Sequence, residues 1–249
     1  MTMKIFAGLF IALACALAQA PNLSSMFDTK LTVAQRNDAC YALRADHSQE
    51  TLQVMRKALD VEVVRPCAAR NLAAGGAADL LADAVRSPVP EVRATAARAL
   101  GVLRKPEFIP LLASAAGDPN LMIALSATEA LCQYDDAGVL PALKALVTRG
   151  GLIASISVSR IGEIDAREAL PIARDWLRAK DVTQRVIAMR ILGENGDASD
   201  LPALRVVAEH KKEIVASQRG FGLMPPIDLA QAAQATIAQI QNRLGKSSN

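Results

Sequence analysis

A chain of 249 residues that is 51% hydrophobic but only 3% aromatic draws its apolar content mainly from Ala and Leu, the strongest helix formers, which favours stacked helices over a sheet sandwich. The formal charge of +3 carries no domain-wide basic excess, so no nucleic-acid partner is expected.

The N-terminus has the form of an export signal. Met1-Thr2-Met3-Lys4 is a short basic segment, and Ile5 to Leu13 is an apolar run interrupted only by Gly8. That run is short for a bilayer span, and no second one follows, so no membrane span is expected. Residues 1–18 are expected to be a signal peptide cleaved after Ala18, because Pro21 disfavours a cut after Ala20. A rival stands beside it. Ala12-Leu13-Ala14-Cys15 resembles a bacterial lipobox, with Ala in place of the usual Leu, and would anchor the chain through a lipid on Cys15. Both routes place the mature chain outside the cytoplasm, periplasmic or extracellular. In such a compartment Cys40 and Cys67 can form a disulfide, or they can remain two small buried hydrophobes. Cys132 is expected to be a buried thiol on a helix face.

Residues 19–31 are polar and lack helical periodicity, and are expected to be a tether ahead of an all-α body over 32–246. Thr32 is expected to cap a first helix and Ser48 a second, whose apolar stripe is Leu52, Met55, Ala58 and Leu59. From there the chain repeats as pairs, a helix A and a helix B. Ile109-Pro110, Leu140-Pro141, Leu170-Pro171 and Leu201-Pro202 recur at intervals of 31, 30 and 31 residues, a period that marks stacked supersecondary units. These prolines are expected a few residues inside each helix A, with Pro141, close behind Asp136, in about the first turn and Pro171 deep enough to bend its helix. Val64-Arg65-Pro66-Cys67-Ala68-Ala69-Arg70-Asn71-Leu72 matches residues 92–100 in helix B and, less closely, 184–192. Gly101, Gly162 and Gly193 share a slot, consistent with helix ends and a left-handed residue. Ser87-Pro88 and Asp118-Pro119 have the form of helix starts, and Asp165 with Glu168 and Asp181 with Gln184 have capping-box spacing. Ser155 to Ser159 alternates like a strand, but the repeat register makes it helical. After Pro202, helix B is expected from about Lys211 to Met224, interrupted by Gly220-Phe221-Gly222 and stopped by Pro225-Pro226. A capping helix follows over about Asp228 to Leu244, with Leu229, Ala233, Ile237, Ile240 and Leu244 on one apolar face.

These features resemble HEAT repeats, most nearly the short HEAT-like kind of phycobilisome lyases. The resemblance runs over roughly residues 48–220 and implies an α-α superhelix of about six helix pairs closed by the C-terminal helix. The pattern departs at Asp79, which replaces the proline, at Ala124 and Ala154, which replace the arginine, and at Arg149, which takes the expected Asp position.

Signals for catalysis are thin. His47 and His210 form no metal-binding pair at helical spacing, and without repeated His-Glu pairs the di-iron site of the HEAT-type deoxyhypusine hydroxylases cannot be assembled. No bilin site, P-loop or Gly-x-Ser-x-Gly is present, so no catalytic residue, metal or cofactor is expected. Two features remain as candidate binding elements. Arg65, Arg93 and Arg185 share one helix-B slot, and Arg70, Arg98 and Arg190 share another. The first ladder is suited to bonding neighbouring turns and acids. The second offers a basic strip, interrupted by Glu129 and Ser159. Phe221, Leu223 and Met224 are bulky residues in a Gly- and Pro-punctuated loop, a setting that often carries binding. The expected function is a non-catalytic exported scaffold that binds a protein or peptide through its helix-B surface. The alternatives are an anion binder acting through the arginines and a lyase-like or hydroxylase-like enzyme.

Overall fold

The computed structural model describes residues 23–209, 214–215 and 227–247. The expected signal peptide, its cleavage point and the Cys15 anchor lie outside these residues, as do His210, Phe221, Leu223 and Met224. The first helix, α1 (Val33–Ala42), stands alone and six helix pairs follow it. They are α2 (Gln49–Ala58) with α3 (Arg65–Ala74), α4 (Ala78–Ala84) with α5 (Pro90–Val102), and α6 (Ile109–Ala116) with α7 (Leu121–Leu131). Next come α8 (Leu140–Val147) with α9 (Gly151–Ile164), α10 (Ala166–Trp176) with α11 (Val182–Asn195), and α12 (Leu201–Glu209) with α13 (Leu229–Ser247). Two-residue strands β1 (Ile214–Val215) and β2 (Ile227–Asp228) pair antiparallel between α12 and α13, with Ile214 opposite Asp228. Each B helix packs on the next along the row α3, α5, α7, α9, α11, α13, and this row forms an all-α solenoid.

Local chemistry explains the helix starts. Thr32 caps α1 in a full capping box with Gln35. Ser48 caps α2, Asp165 caps α10, and Asp181 accepts from the amides of Thr183 and Gln184 at the start of α11. Glu168 does not close a box at Asp165, because its carboxylate pairs with Lys144 instead. The two X-Pro starts are displaced by two residues. The Ser87 hydroxyl accepts from the Val89 amide and α5 opens at Pro90, while the Asp118 carboxylate accepts from the Asn120 amide and Asn120 caps α7. Ser and Asp make a turn with their own backbone there, and the helix begins after it.

Pro141 lies in the first helical turn as expected, and Pro110 and Pro202 sit closer to their helix starts than expected. Pro110, Pro141 and Pro202 are the second residues of α6, α8 and α12, each preceded by a 3-10 turn: Pro106–Phe108, Ala137–Val139 and Ala198–Asp200. In the first turn the missing N–H leaves no intrahelical bond unmade. Pro171 alone lies inside its helix, α10, as expected.

Three expectations are corrected. The shared glycines Gly101, Gly162 and Gly193 lie in the last turns of α5, α9 and α11, near the helix ends as expected, but none is a left-handed residue, since none has a positive φ. Each faces the following B helix. A Cβ on Gly101 would lie 2.6 Å from the Ala130 Cα, and one on Gly162 would lie 3.4 Å from Ile191. The residue that turns left-handed after α5 is Arg104, at φ 50°. Within the range expected as a helix over 211–224, the two described residues, Ile214 and Val215, are paired as a strand, and the rest lie outside the described residues. The B position of the last pair is filled by α13, which packs on both α11 and α12, and Gly193 faces its Thr236 and Gln239. On α13, Leu229, Ala233 and Ile240 are buried and Ile237 packs against the core, whereas Leu244 is exposed. Finally, the polar stretch expected as a tether contains a docked element. Leu23–Phe27 is a 3-10 turn with Met26 fully buried, and Arg36 donates to the Met26 carbonyl at 2.9 Å. Polar neighbours concealed the three apolar residues Leu23, Met26 and Phe27.

Gly101→Ala should lower stability by about 1–3 kcal/mol, because the atoms it meets are backbone and a short Ala side chain that cannot swing aside. Gly245→Ala, with open space around it late in α13, should be neutral or stabilise by up to about 1 kcal/mol. Urea unfolding of the two variants measures the difference, and equal effects would refute the close approach.

Candidate functional site

The B-helix row presents one long surface, and the candidate residues can be placed on it in register. In the first ladder, the Arg65 guanidinium donates to the Leu59 carbonyl six residues back at 2.7 Å. Arg93 repeats this to the Ser87 carbonyl at 3.0 Å and reaches Asp118 of the next pair at 3.5 Å. These arginines hold turns. Arg149, where the pattern expects an acid, donates to the Ala116 and Asp118 carbonyls of the preceding unit. It therefore caps the end of α6, where the helix dipole favours a cation. Arg160 reaches the turn that follows α7, donating to the Tyr134 carbonyl at 2.8 Å while pairing with Asp135 and Glu163. Burial works against its charge, but the hydrogen bonds to Glu163 and Asp135 outweigh it and hold the guanidinium above its ordinary value. Arg243 of α13 caps α11 through the Gly193, Glu194 and Gly196 carbonyls.

The second ladder stays at the surface. Arg98 pairs with Glu129 of the next unit at 3.1 Å, and Arg190 pairs with Glu194 one turn along its own helix at 3.3 Å. The Arg70 guanidinium lies 5.9 Å from the centre of the Tyr41 ring. The three side chains are thus exposed in equivalent positions, but two of them face carboxylates.

Spacing alone did not single out a row of exposed aliphatic side chains at the N-terminal ends of successive B helices. Leu121 and Met122 at the start of α7 are 61% and 53% exposed, and Leu152 at the start of α9 is 47% exposed. Val89, just before α5, continues the row. Met122 and Leu152 occupy the register slot held by exposed Glu91 in α5 and exposed Thr183 in α11. That comparison is the signal by which the sequence could have yielded them.

Cys40 and Cys67 are joined, with an S–S distance of 2.12 Å, and link α1 to α3. Cys132 is partly buried, and burial pushes its thiol up to about 11, so it is a poor nucleophile at neutral pH. Among the described residues no group of three or more His, Cys, Asp or Glu is arranged to hold a metal ion, and no helix is long and apolar enough to cross a membrane.

Residues 77–151 match the family model of HEAT repeats. The matched HEAT segment runs from the start of α4 to the start of α9 and contains the exposed aliphatic row except for Leu152. Among solved structures, the Escherichia coli protein YibA is 16% identical, with 89% of this chain and 81% of that chain covered at a TM-score of 0.57. That likeness shows a shared HEAT-like helical fold. The complex of CpcE and CpcF of phycocyanin lyase from Nostoc sp. PCC7120 is 18% identical over 88% of this chain and 92% of that chain, at a TM-score of 0.42. Human deoxyhypusine hydroxylase is 15% identical over 88% and 94%, at a TM-score of 0.38. No curated protein matches the chain in sequence.

Arg160→Met should cost about 1–3 kcal/mol, because it removes charge-assisted bonds from a side chain that is only 17% exposed and leaves the Tyr134 carbonyl without its donor. Arg98→Gln should change stability by less than about 1 kcal/mol, since both partners of its ion pair are half exposed. Denaturant midpoints of the two variants report this, and a larger loss for Arg98→Gln would overturn the assignment of roles.

Proposed function

We propose that this chain is a non-catalytic HEAT-repeat scaffold that binds a protein or peptide partner through its helix-B surface after export from the cytoplasm. The observation that carries the binding surface is the group of exposed aliphatic side chains Val89, Leu121, Met122 and Leu152 near the starts of three successive B helices, with Met122 and Leu152 in the same register slot. A row of this kind on a rigid stack suits an extended apolar partner, because large exposed apolar side chains that line up mark interaction sites where scattered ones do not. Anion binding through Arg70, Arg98 and Arg190 is less well supported, since Glu129 and Glu194 already compensate two of the three charges. Export rests on the basic and apolar pattern of residues 1–18.

The binding surface is tested with a photo-crosslinking residue placed at Met122, at Leu152 and, on the opposite helix layer, at exposed Ser114 of α6, with irradiation in cells of the source organism. Discrete adducts from 122 and 152 but not from 114, lost on adding Leu121→Glu, are expected. Adducts from 114 alone, or none from any position, would sink the proposal, and retention on an anionic matrix that Arg98→Gln and Arg190→Gln abolish would favour the anionic ligand. The mass of the mature N-terminus tests export. It should begin at Gln19, or at a lipidated Cys15, and a chain that retains Met1 to Ala18 would refute both.

A further inference from the structure

The first helix is held on the stack by one covalent bond, by few buried side chains of its own, and through the preceding 3-10 turn, whose Met26 is buried. In α1 only Cys40 is fully buried, and Leu43 just beyond the helix is the one other buried side chain there. Val33 and Tyr41 of the same helix are exposed. By contrast α3 buries Cys67, Ala68, Ala69, Asn71 and Leu72. A terminal unit in a stack has a neighbour on one side only, so it has the least noncovalent support. The polar contacts of α1 with the stack are few. Asn71 donates to the Cys40 carbonyl at 3.1 Å, and Arg70 lies over the Tyr41 ring. Arg36 bonds the Met26 carbonyl, which ties α1 to the preceding 3-10 turn and not to α3. The Cys40–Cys67 bond spans 27 residues and fastens this lightly packed helix to the best-buried helix near it.

We infer that the disulfide between Cys40 and Cys67 is a redox latch: when it is reduced, α1 leaves the stack as a unit while the remaining repeats stay folded. The chemistry balances with a dithiol reductant. Its thiolate attacks one sulfur, the Cys40–Cys67 bond breaks, and its second thiol completes its own disulfide as both cysteines take up protons. The released end then exposes Met55, the Cys67 thiol and the Asn71 side chain, whose amide nitrogen now lies 3.7 Å from the Met55 sulfur and within bonding distance of the Cys40 carbonyl. The latch is distinct from the aliphatic row, whose Leu121, Met122 and Leu152 lie on α7 and α9.

Hydrogen exchange of the full chain, with and without dithiothreitol, tests this. Reduction should speed exchange over residues 33–43 at least tenfold and leave residues 90–131 unchanged. Cys67→Ser should reproduce the fast exchange without reductant, and Cys132→Ser should leave the effect of reductant intact. Unchanged protection over 33–43 after reduction would overturn the latch. So would loss of protection along the whole chain, or an effect that vanishes in Cys132→Ser. If Cys67→Ser does not fold, the reductant experiment on the unsubstituted chain still decides.

Discussion

The close approach of successive B helices is the constraint on which the stack depends. At Gly101 the backbone of α5 runs so near Ala130 of α7 that no side chain fits between them. The same slot, directly after buried Leu100 in α5, is Gly162 after buried Ile161 in α9 and Gly193 after buried Leu192 in α11. Small residues there let helices of neighbouring units share one continuous core from Met26 to Ile240. The high Ala content follows from the same demand, since Ala96, Ala97, Ala124, Ala127 and Ala130 are all buried between helices. Such packing gains dispersion and apolar burial from many close contacts and not from a few large side chains, which is why the chain manages with so few aromatics.

Once the helices are stacked, their carbonyl ends abut the next unit, and arginine satisfies them. Arg149, Arg160 and Arg243 each reach from one unit to the helix end of its predecessor or to the turn that follows it. A guanidinium suits this task because its fork of donors can bond two carbonyls at once without a charged partner. Ion pairs such as Arg56 with Asp83 and Arg104 with Asp135 add to the ties between units but lie in water, where each contributes little. Much of the positive charge is therefore engaged in construction, and the aliphatic row is left as the least committed part of the B surface.

How much of this could be read from the chain depended on whether one residue type had one physical role. Thr32, Ser48, Asp165 and Asp181 were legible as caps because a short polar side chain ahead of an apolar periodicity has few other uses. The helix pairs were legible from the proline period, and Pro141 from its closeness to Asp136, although the 3-10 turns that place Pro110 and Pro202 in the first helical turn left no mark in the spacing. The glycine slot was misread because a glycine that turns left-handed at a helix end and one that admits a neighbouring helix look alike in sequence, and only φ and the facing atoms separate them. The row of Leu121, Met122 and Leu152 stayed hidden because, in an apolar chain, leucines beside a buried Ile123 or Ile153 look like core. The apolar face of α13 was legible, but its place beside α11 was not, because its partner helix α12 ends many residues earlier.

That interval has a consequence for how the molecule assembles. Elsewhere a helix A is joined to its helix B by a few residues, as between Ala116 and Leu121, so each pair can form locally. Between Glu209 and Leu229 the chain makes an excursion before the last B helix docks. Closing it costs roughly 1–1.5 kcal/mol more in loop entropy than a four-residue turn. The final unit thus has the most non-local contacts of the series, and α13 is placed to join last, sealing a stack that the preceding pairs have already built. Lengthening that interval would change the closure cost only slowly, by about 0.6 kcal/mol for each doubling.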